Sequence, residues 1–305
     1  MNCEWMRGCA TALVTPFKSD GSVDIERMRA LVGRQMDEGV SLLVPCGTTG
    51  ESVTMSAEER EQVIRATIET AKGRARVIAG TGSNNTAHAV EQSKEAAGWG
   101  ADAVLVVAPY YNKPTQEGLY QHFRAVAEAV PETPVVLYNV PGRTSSNISA
   151  ETALRLARDF GNVVAVKEAS GNLAQIMEIL RGRPEDFLVL SGDDAMTFAM
   201  IALGADGLVS VASNEAPRFM SEMVDAALAG RWDEARGLHY RWLPLMDVNF
   251  VESSPGPVKA AMALMGLLEE NQRLPLVPVT EKTRGRVREV LSELGLLEES
   301  THVAA

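Results

Sequence analysis

The sequence contains few cysteines, few aromatic residues and no excess of basic residues. Its 305 residues include three cysteines, Cys3, Cys9 and Cys46, an odd number that forms no disulfide framework and favours a reducing compartment. No run approaches the roughly 20 apolar residues that a membrane helix needs. Charges also interrupt the first residues before an apolar stretch long enough for a signal peptide. We therefore expect a cytoplasmic protein that makes no membrane contact.

Acidic residues outnumber basic ones by 40 to 29, which gives a net charge of −11. Binding to nucleic acid or to an anionic membrane needs clustered Lys and Arg, so this balance argues against both. The chain is 46% hydrophobic and 23% charged, as soluble globular domains are. The composition is compatible with a metabolic protein that acts on small molecules.

Eight short apolar runs rich in β-branched residues recur along the first two-thirds of the chain. They are near-continuous rather than alternating, which is typical of strands that helices cover on both faces. Stretches with helical spacing separate them, such as 57–72 after Ser56 and 86–99 after Asn85, each preceded by a residue that can cap a helix. The runs are 11–17, 42–48, 76–82, 103–110, 134–141, 163–170, 187–194 and 207–213.

This alternation predicts an α/β protein, a (β/α)8 TIM barrel with additional C-terminal helices, rather than an open doubly wound sheet. We assign residues 1–225 to the barrel and residues 226–305 to a helical region packed on it, whose last residues, 298–305, we expect to fray. Polar residues and glycines cluster at the carboxyl end of nearly every run. In barrels that rim carries the chemistry, so we expect the functional site there.

Lys167 places a charge inside the apolar run 163–170, on what should be the inner wall of the barrel. Burial disfavours an ammonium ion, and a neutral amine can attack a ketone to form a Schiff base. The alternative is a structural lysine near a strand end that pairs with Glu168 or Asp193. The residue alone leaves both interpretations open.

The glycine-flanked loop GTTGES at 47–52 follows the second run. Its backbone amides and the hydroxyls of Thr48 and Thr49 can converge on a carboxylate, although a simple tight turn is an equal alternative. The loop lacks the spacing of a phosphate loop, and GTGSNN at 80–85 is not a dinucleotide motif. Nucleotide binding therefore has little support.

Tyr110, Tyr111 and Tyr138 are three of only five tyrosines, and all lie at predicted strand ends on the same rim. A phenol there can relay protons, and the alternative is amphipathic packing at the barrel mouth. Arg143 follows a Pro-Gly pair near this rim. Its guanidinium can grip a carboxylate at two points, and the alternative is a surface ion pair.

Metal chemistry has little support in the sequence. Asp193 and Asp194 can in principle hold Mg²⁺, but we expect them to cap a helix instead. No GxSxG nucleophile motif is present. The histidines are scattered without ligand spacing: His88, His122, His239 and His302.

Five motifs stand near the carboxyl ends of these runs: GTTGES (47–52), PYYN (109–112), YNVPGRT (138–144), VKEASGN (166–172) and SGDD (191–194). In this order and spacing they resemble the dihydrodipicolinate synthase branch of the N-acetylneuraminate lyase family. The resemblance extends from about Thr11 to the PVKAA segment near Lys259, and the span from Tyr138 to Lys167 matches the family's most specific pattern. It implies a (β/α)8 barrel with C-terminal helices and an enzyme of the lyase class.

The resemblance also implies roles for these residues. Lys167 would form an imine with pyruvate, while Thr48 and Thr49 hold the pyruvate carboxylate. Thr48, Tyr138 and Tyr111 would form a proton relay. In this family the tyrosine that matches Tyr111 comes from the neighbouring subunit, so the resemblance implies a tight homodimer and, by family inheritance, a homotetramer.

Arg143 would receive the carboxylate of the second substrate, L-aspartate 4-semialdehyde, and Gly192 and the backbone at Val209 would line the pocket beside the lysine. The product would be 4-hydroxy-tetrahydrodipicolinate, which leads to diaminopimelate and lysine, and no cofactor or metal would be needed. An arginine at this point favours the synthase over sugar-acid and sialic-acid lyases, whose acceptors are rich in hydroxyls. A non-catalytic carboxylate-binding barrel and a metal-dependent lyase that uses Asp193 and Asp194 remain as other classes.

Regulation by lysine is expected to be weak or absent. In lysine-inhibited members a glutamate of an inter-subunit pocket receives the effector's ammonium, and His88 stands at the matching position here. A mostly neutral imidazole cannot replace that anion. Ala57 and Arg60 stand where those members often carry histidines. The alternative is that other residues rebuild the site.

Overall fold

The computed structural model describes Met1 and residues 3–297. Eight parallel strands follow one another around a closed barrel, and the eighth pairs with the first. They are β1 (Gly8–Ala12), β2 (Leu42–Val44), β3 (Arg76–Gly80), β4 (Ala103–Val107), β5 (Val135–Asn139), β6 (Val163–Glu168), β7 (Leu188–Ser191) and β8 (Gly207–Ser210). The predicted (β/α)8 TIM barrel with further C-terminal helices is confirmed.

Helices lie outside the strands and continue beyond the last of them. They are α1 (Ile25–Asp37), α2 (Ala57–Ala71), α3 (Thr86–Gly98), α4 (Gln116–Ala129), α5 (Pro141–Thr144), α6 (Ala150–Asp159), α7 (Leu173–Gly182), α8 (Thr197–Ala202), α9 (Pro217–Leu228), α10 (Trp232–Val248), α11 (Gly256–Leu264) and α12 (Glu281–Glu293). Within the described part of the chain, three short 3-10 helices also occur, at Glu4–Met6, Ser52–Thr54 and Ala212–Asn214.

Helices α2 and α3 begin where the sequence predicts their caps. The Ser56 hydroxyl accepts a hydrogen bond from the Glu59 amide at 3.2 Å, and the Glu59 carboxylate accepts one from the Ser56 amide at 2.9 Å. The Asn85 side chain accepts from the Ala87 amide at 3.0 Å. These bonds satisfy amides that the first helical turn leaves without a partner, so both predicted helices are confirmed.

The first strand does not lie where the sequence predicts it. Seven strands begin at the predicted residue or one residue later, but β1 covers Gly8–Ala12 instead of the run 11–17. Its sequence, GCATA, carries almost no β-branched signal. A Cβ on Gly207 would lie 2.3 Å from the Gly8 carbonyl oxygen, so the seam between β1 and β8 requires glycine. The prediction for β1 was wrong because this close approach selects small residues.

Side chains alternate between the two faces of the barrel wall. Val136 and Leu190 point inward and fill the barrel interior, whereas Leu137 and Val189 point outward and pack against the helices. Tyr138 lies on the inward face near the carboxyl end of β5. The interior is therefore packed below this level, and space for a ligand lies at the carboxyl ends of the strands.

Helix α9 is the eighth barrel helix, and it ends at Leu228 rather than at the boundary of 225 drawn from the sequence. Helices α10 and α12 pack with α9 over β1 and β8, and Trp242 of α10 is fully buried there. Helix α11 lies near the mouth, where Val258 joins a cluster with Val14 and Val211. The C-terminal helices thus both cover the barrel wall and reach the rim.

No helix among the described residues combines the length and the apolar character needed to cross a bilayer. The segment 298–305, for which fraying was predicted, lies outside the described residues, as does His302 within it. The helical region assigned to 226–305 is therefore described as far as residue 297.

Candidate active site

A cavity of about 130 Å³ opens at the carboxyl ends of the strands. Six of the eight predicted site residues line it: Thr48, Thr49, Tyr138, Arg143, Lys167 and Gly192. Tyr111 and Val209 do not. The remaining lining residues are Val140, Ala169, Asp193, Val211, Phe250 and Ser254. An adjacent cavity of about 360 Å³ shares four of these residues and extends outward past Tyr110.

Lys167 lies near the end of β6, opposite Tyr138 of β5. It is 5% exposed, and its Nζ is 4.2 Å from the centre of the Tyr138 ring. Among the described residues, neither Glu168 nor Asp193 forms an ion pair with this amine. Glu168 instead accepts hydrogen bonds from Asn139 Nδ2 at 3.1 and 3.2 Å. The amine is therefore buried, unpaired within the described chain and directed into the cavity.

The GTTGE loop (residues 47–51) follows β2 and presents two threonines to the cavity. The Glu51 amide donates to the Thr48 carbonyl at 3.0 Å, which folds the loop back on itself. The hydroxyls of Thr48 and Thr49 form no hydrogen bond with other described residues. Both can donate to a ligand, so the loop offers what a carboxylate requires.

The turn into this loop depends on a close backbone approach. A Cβ on Gly80 of β3 would lie 2.2 Å from the Cys46 carbonyl oxygen. Cys46 itself has a left-handed φ of 56°, which is uncommon for a residue with a side chain. Burial raises the pKa of its thiol to about 12, so Cys46 stays protonated and is a packed residue rather than a nucleophile.

Arg143 lies on α5, a single turn that begins with Pro141 directly after β5. Proline suits this first position because the helix does not use its missing N–H. Arg143 is exposed, lines both cavities and forms no ion pair with another described residue. The surface ion pair considered as an alternative is thus not formed, and the guanidinium is free to meet a carboxylate that enters from solvent.

Tyr111 lies outside both cavities and is 87% exposed. Its φ of 72° is left-handed, and its amide donates to the Thr144 carbonyl at 3.3 Å. The neighbouring Tyr110 lines the larger cavity, and Tyr138 is buried in the smaller one. The ring of Tyr111 therefore takes no part in the site of its own subunit and stands free on the rim.

Two lining residues come from the C-terminal region, and sequence reasoning missed both. Phe250 and Ser254 lie between α10 and α11 and reach the cavity from above the barrel. The interruption of the helical pattern by SSPGP, which begins at Ser253, is the signal that could have indicated a loop at the rim. Val209 is buried in the barrel interior, and Val211, farther along the chain, lines the cavity.

Asp193 and Asp194 behave differently from one another. Asp193 accepts a hydrogen bond from the amide of Met196, the residue that precedes α8, at 3.2 Å. Neither side chain caps α8, so the expectation of helix capping was wrong for both. The Asp194 carboxylate accepts from the Ser210 hydroxyl and the Val211 amide, and burial raises its pKa. In the described part of the chain no three His, Cys, Asp or Glu side chains are grouped as metal ligands.

A closed barrel with a buried, unpaired lysine at the carboxyl ends of its strands defines the class, a (β/α)8-barrel enzyme. The model of the Dihydrodipicolinate synthetase family matches residues 5–294, and the chain belongs to this family. The resemblance inferred from the five motifs is thereby confirmed.

Individual relatives match nearly the whole chain. The 4-hydroxy-tetrahydrodipicolinate synthase of Koribacter versatilis is 57% identical over 297 residues, which cover 97% of this chain and 98% of that protein. The dihydrodipicolinate synthase of Aquifex aeolicus superposes with a TM-score of 0.94 at 45% identity, over 96% of this chain and 100% of that one. The enzyme of Acinetobacter baumannii, solved as a complex with pyruvate, gives a TM-score of 0.93 at 44% identity with the same coverage.

Proposed function

We propose that this chain condenses pyruvate with L-aspartate 4-semialdehyde to form 4-hydroxy-tetrahydrodipicolinate, the activity for which its curated relatives are named. One observation carries the proposal. The Lys167 amine is buried and unpaired among the described residues, beside two free threonine hydroxyls and a free guanidinium. The chain would thus be a lyase of lysine and diaminopimelate biosynthesis.

In this proposal the Lys167 amine attacks the carbonyl carbon of pyruvate, and water leaves as the imine forms. Thr48 and Thr49 donate hydrogen bonds to the pyruvate carboxylate and hold it beside the amine. Loss of a methyl proton converts the imine into an enamine, whose carbon attacks the aldehyde of the second substrate. The amine of that substrate then displaces Lys167 by transimination, which closes the ring and requires no cofactor.

Proton transfers in these steps need groups that both donate and accept. Thr48 and Tyr138 line the cavity beside the lysine and supply two hydroxyls. The third member of the relay is Tyr111, whose ring is free on the rim of its own subunit. We propose that it enters the site of an adjacent subunit in a homodimer, two of which form a homotetramer.

The second substrate carries its own carboxylate, and Arg143 is the cation that meets it at the cavity entrance. Gly192 and the backbone at Val209 belong to the wall beside the lysine in this proposal. Acceptors of sugar-acid and sialic-acid lyases are rich in hydroxyls and gain little from a guanidinium here. Arg143 therefore supports the synthase over those pyruvate-dependent lyases.

Reductive trapping tests the proposal directly. Borohydride added with pyruvate should attach reduced pyruvate irreversibly to Lys167, detected by mass spectrometry of peptides, and the enzyme should turn over L-aspartate 4-semialdehyde. An adduct with turnover of a sugar aldehyde alone would indicate another lyase of the family. Absence of any adduct would indicate a non-catalytic barrel, and inactivation by a chelator would indicate a metal-dependent lyase.

Gly192→Ala should slow the formation of this adduct. A Cβ at position 192 would lie 2.8 Å from Lys167 Cε and 2.7 Å from Ala169 Cβ, so the lysine has to move. We expect the trapping rate to fall by about tenfold or more, because small misplacements of a reacting group are costly. Gly237→Ala in α10, where an added Cβ meets nothing within 4 Å, is the matched control. Equal trapping rates in the two variants would show that the lysine tolerates the methyl group.

Lysine should inhibit the enzyme weakly or not at all. A cavity of about 210 Å³ is lined in part by Ala57 and Arg60 of α2 and by Glu95 of α3, whereas His88 is exposed and does not line it. We expect an inhibition constant in the millimolar range or above, measured from initial rates. A constant far below millimolar would contradict this expectation, and Glu95→Gln would then test whether Glu95 supplies the missing anion.

We place the protein in the cytoplasm. All three cysteines are described, and all three are buried and unpaired. Free thiols of this kind fit a reducing compartment. The partners that we propose are the two substrates and further copies of the chain, with neither nucleic acid nor membrane among them.

A further inference from the structure

The last residue of the GTTGE loop, Glu51, does not face the cavity. Its carboxylate forms an ion pair with Lys259 Nζ, and its second oxygen accepts from the Arg273 amide at 3.3 Å. Its φ of 53° is left-handed. A residue with a side chain persists in this region only when its surroundings fix it, so these contacts hold the end of the loop.

Lys259 reaches Glu51 from α11, in the C-terminal region. It is completely buried, donates to the Asn271 carbonyl at 2.8 Å, and lies with its Nζ 4.3 Å from the centre of the Phe17 ring. Burial lowers the pKa of Lys259, and the neighbouring Glu51 opposes that shift. Both side chains of the pair are inaccessible to solvent, so water screens their attraction little.

The same loop carries the two free hydroxyls of the site. The Glu51 amide donates to the Thr48 carbonyl, so the anchored residue and the threonine share a turn. The Thr54 hydroxyl closes the next turn by donating to the Glu51 carbonyl at 2.9 Å. A shift of Glu51 would therefore be transmitted to Thr48 and Thr49 within the same short loop.

We propose that Lys259 is a positioning residue, which acts through Glu51 to hold Thr48 and Thr49 where they receive the pyruvate carboxylate. This inference rests on the proposed function. The C-terminal region then contributes to the reaction as well as to the fold. Lys259 of α11 holds the GTTGE loop through Glu51, and Ser254, just before α11, lines the cavity. Lys259 touches no substrate and takes part in no proton transfer.

The test removes both charges together, because a single charge left unpaired in the core would destabilise the protein. In Glu51→Gln/Lys259→Met we measure the pyruvate concentration that gives half the maximal rate of borohydride trapping at Lys167. We expect this concentration to rise about tenfold or more. The KM for L-aspartate 4-semialdehyde should change less than about twofold, because Arg143 lies on α5, after a different strand.

Arg183→Met is the matched control. It removes one of the two arginine partners of buried Asp206, the other being Arg7, at the opposite end of the barrel. It should therefore cost stability and leave the half-maximal pyruvate concentration unchanged. The inference would be overturned if the double variant folds and its half-maximal pyruvate concentration lies within about twofold of that of the unaltered enzyme. If the double variant does not fold, Glu51→Gln/Lys259→Gln carries the same expectation, because it also removes both charges and keeps a polar group at each position. Absence of trapping in the unaltered enzyme would refute the proposed function instead.

Discussion

Lys167→Ala will give a folded barrel that no longer reacts with pyruvate. The variant removes the amine that attacks the ketone, and no other described side chain of the cavity can form an imine. We expect no borohydride adduct in the active-site peptide and a fall in turnover of at least about 10³-fold. Because Lys167 forms no ion pair within the described chain, its removal leaves no unpaired charge in the core.

Lys18→Ala is the control for this variant, because Lys18 is exposed and its side chain interacts, among the described residues, with Asp20 alone, through electrostatic attraction. The Lys18→Ala variant should form the pyruvate adduct on borohydride treatment and should turn over substrate at the rate of the unaltered enzyme. Circular dichroism should give the same helix content for all three proteins. A Lys167→Ala protein that still acquires pyruvate on borohydride treatment would show that a different amine carries the reaction.

The sequence was sufficient for the features that local chemistry determines. Ser56 and Asn85 stand directly before helical patterns, and both cap helices in the structure. Lys167 and Tyr138 interrupt apolar runs near strand ends. Since neighbouring parallel strands bring their carboxyl ends to one rim, the two side chains meet there.

The sequence was insufficient where contacts join distant parts of the chain. The small residues of β1 are explained by the approach of Gly8 to Gly207, and nothing near Gly8 in the sequence indicates that partner. The Glu51–Lys259 pair likewise joins a loop of the barrel to a helix, between residues 208 positions apart in the chain. Such residues look like ordinary surface charges until the fold brings them together in the core.

The same limitation applies to Tyr111, whose predicted role needs a second chain. Tyr111 has an exposed ring and a left-handed backbone conformation, and its ring takes no part in the site of its own subunit. A tyrosine on the rim offers apolar surface and a hydroxyl group to a second chain that packs over it. The site described within one chain thus contains the lysine, the threonines and Tyr138, and lacks the third hydroxyl of the proposed relay.

Tyr111→Phe alone should lower turnover by about 10²-fold or more, the contribution of a positioned proton-transfer group. Its imine with pyruvate should still be trapped, because Lys167 is unaltered. Tyr240→Phe, which changes an exposed tyrosine of α10, should behave like the unaltered enzyme. The contrast separates loss of the relay from loss of a surface hydroxyl.

Co-expression of the Lys167→Ala and Tyr111→Phe chains in equal amounts should restore about one quarter of the unaltered activity. Random pairing makes about half of the dimers mixed, and in each mixed dimer one site combines an intact Lys167 with an intact Tyr111 from the partner chain. The other site lacks both groups. Assemblies that contain both chains, purified through two different tags, should therefore show at least about one quarter of the unaltered activity per site. If they are as inactive as the two parent variants, Tyr111 does not act across the subunit interface.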